Sequence, residues 1–169
     1  MKQYTDIHSF DVRDLSLQSF TQLLLNDYYP FFYTEINRLG DLISRMKTDF
    51  DMDMLDIIQQ TIYKEFDEMY RKEKLVLFPY IIKLEEEERK SENCKPFKNT
   101  KTHYTSVMNL ISEADKMFSD LFINALNEKA IQDAQKILSN LRKELNEIQF
   151  IKEHSYYRKL KNCSGCKTI

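Results

Sequence analysis

The residues in this chain best suited to chemistry are few, and their spacing informs chiefly through what it withholds. The histidines are His8, His103 and His154. A metal centre between helices is commonly built from His and carboxylate four residues apart, because such side chains leave one helix face from adjacent turns. None of the three histidines has a carboxylate four residues later. Carboxylates are plentiful, and one is oddly placed. Leu55, Ile58, Ile62, Phe66 and Met69, then Val76 and Tyr80, recur at steps of three or four residues, the signature of one helix face turned to a core. Glu73 stands on the rung between Met69 and Val76. Burying an unpaired charge costs several kcal/mol, so Glu73 calls for a metal, a proton, or a Lys or Arg from another helix.

The other chemical signals are weaker. Cys163-Ser-Gly-Cys166 has the spacing of half a zinc site or a redox dithiol, and Cys94 is the remaining thiol. With no second pair and no strand–turn–helix context, it reads as an uncommitted thiol pair or one joined between two chains. Gly40 and Gly165 are the whole glycine complement, which excludes a glycine-rich phosphate loop. Basic and acidic residues, 25 and 27 of them, are interspersed without a strongly basic face, so nucleic acid is not an expected partner. No apolar run approaches the roughly 18 residues of a membrane span. The opening MKQYTDIHSF lacks the apolar segment of a secretory signal, and an odd number of cysteines argues against a disulfide framework; both point to the cytoplasm.

The elements that must position these residues are helices. Two glycines and three prolines in 169 residues leave long stretches without the punctuation that strands need. Residues 1–13 read as an irregular lead-in, 14–160 as a helical domain and 161–169 as a tail without period. Asp14 or Ser16 can cap a first helix, and Pro30 is expected to divide it from a longer one carrying Leu25, Tyr29, Phe32, Ile36, Leu39, Ile43 and Met46. Asp51 or Asp53 can cap a second long helix, about 53–89, with Pro79 disturbing its last turns. NCKPFKN reads as a loop. A third helix, about 101–125, buries Tyr104, Met108, Ile111, Phe118 and Phe122. A break near Asn124–Asn127 leads to a fourth, about 128–160, with Ile131, Ala134, Leu138, Leu141, Leu145 and Ile148 inward. The expected architecture is an all-α, up-down-up-down four-helix bundle with a short extra N-terminal helix.

RKEKLVLFPYIIKL resembles a segment of hemerythrin-like (HHE cation-binding) domains, in particular the di-iron proteins that repair iron–sulfur centres. There a His precedes the Glu by four residues and an apolar run ends in Leu-Phe-Pro; here Glu73 is followed by Leu77-Phe78-Pro79, and Met69 stands at the histidine. YYPFFYTEINRLGDLI is similar to the family's His-His-Pro-Phe segment, with Tyr28 and Tyr29 at the histidines. VMNLISEADKMF resembles the third-helix segment, with Ser112 at the histidine. LNEIQFIKEHSYY resembles the second His-x-x-x-Glu, with Gln149 and Glu153 in those places. The resemblance spans residues 17–160 and implies a di-iron carboxylate centre that handles oxygen, nitric oxide or iron delivery.

Every histidine ligand placed by the resemblance is replaced, and Met, Ser and Gln are poor substitutes for imidazole. The leading expectation is therefore a hemerythrin-like bundle without metal or catalysis. It would act as a regulatory or partner-binding module in stress or iron–sulfur metabolism, its partner a protein or a second copy of the chain. The alternative is an iron or manganese site made from Glu73, Glu153 and Tyr29, with Glu35, Glu113 or His154. A polar cavity between Glu73 and Glu153 would favour the second; a closed seam with each glutamate paired or solvated would favour the first.

Overall fold

The computed structural model describes residues 16–46, 52–87, 95–122 and 128–157, and all of its elements are helical. They form four continuous helical runs. The first comprises α1 (Leu17–Leu23), a π-helical segment π1 (Leu24–Tyr28) and α2 (Tyr29–Met46). The second comprises α3 (Asp53–Lys72), π2 (Glu73–Leu77) and α4 (Phe78–Glu86). The third and fourth are α5 (Lys95–Phe122) and α6 (Glu128–Tyr157).

Ser16 caps α1, its side chain accepting from the Ser19 N–H at 3.0 Å. Met52, rather than an aspartate, occupies the cap position of α3. Asp53 and Asp56 lie in that helix's first turn, where carboxylates oppose the positive end of the helix dipole. The expected loop NCKPFKN is helical from Lys95 onward, because Pro96 falls in a first turn, where its missing N–H removes no helical bond.

Pro30 does not divide its helix. Within an α-helix a proline ring meets the carbonyl four residues earlier and leaves it without a donor, at a cost of about 3 kcal/mol. Here the turn ahead of each internal proline is widened. The Tyr29 N–H bonds the carbonyl of Leu24, and the Phe78 N–H that of Glu73, each five residues back. Pro30 and Pro79 each sit two residues after the end of a π segment, on the exposed side.

Each π segment advances the helix by one extra residue and so rotates everything after it. Two consecutive residues are buried at each exit, Tyr28 with Tyr29 and Leu77 with Phe78. The expected stripes are corrected accordingly. Leu24 and Tyr28 are buried where Leu25 is half-buried. Beyond Glu73 the ladder continues through Leu77, Phe78, Ile81 and Leu84, while Val76 is exposed and Tyr80 half-buried.

The long helices form a closed ring of neighbours, α2 on α3, α3 on α5, α5 on α6 and α6 on α2, with α1 against α4. Tyr33 with Asp67 and Gln59 with Ile36 run α2 against α3 in opposite directions. Tyr104 with Asn146, Asp115 with Arg142 and Ser119 with Gln135 do the same for α5 and α6. The core is drawn from all four runs: Phe20 and Phe32, Ile62 and Phe66, Ile111 and Phe118, and the six expected α6 residues together with Ile137. Gly40 lies within α2 because a Cβ there would stand 3.0 Å from Nε2 of Gln59, whose buried amide donates to the Ile36 carbonyl at 3.0 Å.

Candidate functional site

The polar centre of the core is built where the two π segments meet α6. Tyr29 is the first residue after π1, and Glu73 is the first residue of π2. On α6 the buried stripe Leu141, Leu145, Ile148 reaches its next rung, four residues on, at Lys152. The Lys152 ammonium lies 2.8 Å from Oε1 and 2.7 Å from Oε2 of Glu73, and donates to the Tyr29 hydroxyl at 3.2 Å. The Tyr29 hydroxyl in turn donates to Oε2 of Glu73. Glu73 is 1 % exposed and Lys152 5 %.

The walls around this triad are aromatic and aliphatic. The Tyr29 ring packs against Phe66 and Tyr70, with centroids 5.6 and 4.7 Å away, and the Lys152 ammonium stands 5.5 Å from the Tyr29 ring centre. Met69, one turn before Glu73, is buried as packing. A carboxylate and an ammonium in such surroundings hold together because either one alone would be a stranded charge.

Sequence reasoning required a partner for Glu73 and left its identity open among a metal, a proton and a basic residue. The structure supplies Lys152, which the sequence reading passed over. Continuing the α6 stripe by one rung would have found it.

The remaining candidates are dispersed. Tyr28 is fully buried beside Tyr29. On α6 the buried residues are Ile148 and Lys152, and Gln149 and Glu153 beside them are half-buried. Gln149 donates to Oε1 of Glu153 at 3.0 Å, and Lys101 reaches the same oxygen at 3.5 Å on the rim of α5 and α6. Ser112 is exposed, its hydroxyl donating to the Met108 carbonyl, and its inward neighbour is Ile111. Glu113 is exposed, and Glu35 pairs with Arg38 at 3.7 Å. Cys94, Cys163, Cys166, His8 and the His154 side chain lie outside the described residues.

Two further polar clusters flank the triad on α3. Nδ1 of His103 is 2.7 Å from Oε2 of Glu65, and its Nε2 is 2.5 Å from the Lys72 ammonium. An ammonium can only donate, so with Lys72 on Nε2 that nitrogen accepts and Nδ1–H donates to Glu65. Nearer α2, the Tyr33 hydroxyl donates to Oδ1 of Asp67 at 2.9 Å, and Asp67 pairs with Arg71 at 2.8 Å. Burial and this bond to Asp67 push the Tyr33 hydroxyl well above the ordinary phenol range. Tyr104 is raised too, by burial and by the nearby Glu153.

The donor set does not fit a di-iron pair. Both oxygens of Glu73 are engaged by Lys152 and Tyr29, and an ammonium offers no lone pair to a metal. Among the described residues no three His, Cys, Asp or Glu side chains come together as ligands of an ion would. Comparison of the chain with protein-family models, with curated proteins and with solved structures gives no match. Among the described residues, no helix is long and apolar enough to cross a membrane.

Proposed function

We propose that this chain is a hemerythrin-like, up-down-up-down four-helix bundle in which an internal lysine has taken the place of the metal, leaving a non-catalytic regulatory or partner-binding module. One observation carries this reading: the Lys152 ammonium contacts both oxygens of a fully buried Glu73, with the Tyr29 hydroxyl closing the third side. A carboxylate that in the resembled family would hold iron is neutralised here by a cation tethered to the chain. The antiparallel pairing of α2 with α3 and of α5 with α6 supports the bundle topology.

In this reading the protein works in the cytoplasm, in stress or iron–sulfur metabolism. It engages a protein or a second copy of itself through its surface rather than through its core. The alternative iron or manganese site would need Glu73 and Glu153 to face one ion. Glu153 instead belongs to the rim, held by Gln149 and Lys101. Anaerobic loading of the purified chain with Fe(II) or Mn(II), followed by metal analysis after desalting, is expected to return no retained ion. Two tightly held ions per chain would overturn the proposal.

A further inference from the structure

Four tyrosines form a continuous path from the polar core to the surface. The buried Tyr29 ring lies 4.7 Å from Tyr70, Tyr70 lies 5.9 Å from Tyr33, and Tyr33 lies 5.4 Å from Tyr63, all between ring centroids. Tyr63 is 40 % exposed. Adjacent rings at such separations are in direct contact, in tilted or edge-to-face geometry, and electrons cross contacts of that kind readily. The chain has no tryptophan, so phenols are its most easily oxidised aromatic groups.

A phenol gives up an electron easily only when its proton can leave with it, because the phenol radical cation is a strong acid. The hydroxyl must therefore already be hydrogen-bonded to a base, within the reach proton transfer requires. Tyr63, at the surface, has water as its acceptor; two members of the path bond a carboxylate instead, and they differ in what a transferred proton would leave behind. At Tyr29 the acceptor is Glu73; protonating it would strand the Lys152 ammonium in the core, which is costly. At Tyr33 the acceptor is Asp67, whose other partner, Arg71, has a side chain that is mostly solvated and loses little when Asp67 is neutralised. The raised Tyr33 hydroxyl remains protonated at neutral pH, so it has a proton to transfer.

We propose that Tyr63 and Tyr33 form a one-electron relay in which Tyr63 is the surface contact and Tyr33, with Asp67 as proton acceptor, is the resting site of the oxidising equivalent. Its substrate is a small one-electron oxidant of the nitrogen dioxide or carbonate radical class. Tyr63 passes one electron to the oxidant, which becomes nitrite or carbonate, and releases its phenolic proton to water. Tyr33 then gives an electron to the Tyr63 radical, which regains a proton from water, while the Tyr33 proton moves to Asp67. The net change is one oxidant reduced, one neutral Tyr33 radical formed and one Asp67 carboxyl protonated. Tyr70 contacts both Tyr33 and Tyr29. Because an oxidised Tyr29 is disfavoured by Lys152, the oxidising equivalent stops at Tyr33 and is kept from the triad.

The test uses the full chain with photogenerated tris(bipyridine)ruthenium(III) as oxidant, read by transient tyrosyl absorption and by electron paramagnetic resonance of freeze-trapped samples. The wild type is expected to give a long-lived tyrosyl radical that Tyr33→Phe abolishes and that Tyr104→Phe, a tyrosine outside the path, leaves in place. Asp67→Asn retains the ring and removes the base, so radical formation at Tyr33 is expected to slow on the order of 10²-fold. Circular dichroism confirms that each variant is folded. An undiminished long-lived radical in Tyr33→Phe, or an unchanged formation rate in Asp67→Asn, would overturn the relay.

Discussion

Lys152 and Glu153 are neighbours in the chain, and each forms an ion pair with another helix, yet the two pairs have little else in common. Lys152 points inward to Glu73, with side chains 6 % and 1 % exposed, at 2.7 Å. Glu153 lies at the rim and meets Lys101 at 3.5 Å, with side chains 25 % and 28 % exposed. One residue step on a helix is a rotation of about 100°, and here it separates a charge that must be paired from one that water can serve. The energetics differ in kind. The inner pair matters because breaking it strands a charge; the outer pair adds only its own small attraction.

The comparison is broken most forcefully by removing one inner partner. Lys152→Ala is expected to cost about 3–5 kcal/mol in urea unfolding, since Glu73 would remain buried without its cation. Replacing both partners, Lys152→Met with Glu73→Leu, is expected to restore stability to the wild-type level or raise it by about 1–4 kcal/mol. A double variant as unstable as the single one would mean that the pair contributes net stability rather than merely avoiding a penalty.

An intermediate case is Tyr33 with Asp67, half-buried between these extremes. The folded state holds the Tyr33 proton more tightly than the unfolded chain, whose phenols titrate near about pH 10. Its contribution is therefore full below about pH 10 and is lost as the pH rises further, toward the folded-state value. Stability should fall in alkali, and Tyr33→Phe should flatten part of that fall in denaturation curves taken across pH. Tyr104 supplies a parallel share of the decline. The smallest effect is expected at the rim, where Lys101→Ala should change stability by roughly 0–1 kcal/mol and less in high salt. A loss there comparable to that of Lys152→Ala would erase the distinction.

The all-helical class was readable from scarce glycine and proline and from the three-and-four spacing of apolar residues. The α6 stripe was legible residue by residue because nothing interrupts its α-helical period. The α3 ladder was legible only as far as Glu73, because the π segment beginning there changes the number of residues per turn. Val76 stands where an uninterrupted helix would bury it and is exposed. Glu73 announced itself through a charge on an apolar face, whereas Lys152 stands one rung past Ile148, the last apolar residue of the expected α6 stripe. Its burial is a tertiary fact, fixed by a carboxylate 79 positions away.

The two π turns also bear on ancestry. Each amounts to one residue added within a helix whose hydrogen bonding continues on both sides, so the change resembles an insertion that the fold absorbed without a loop. A related chain lacking either turn would be shorter by one residue in mid-helix, ahead of Pro30 or Pro79, with every later position displaced. Such a pair would share packing on both sides of the turn while their sequences fell out of step between them.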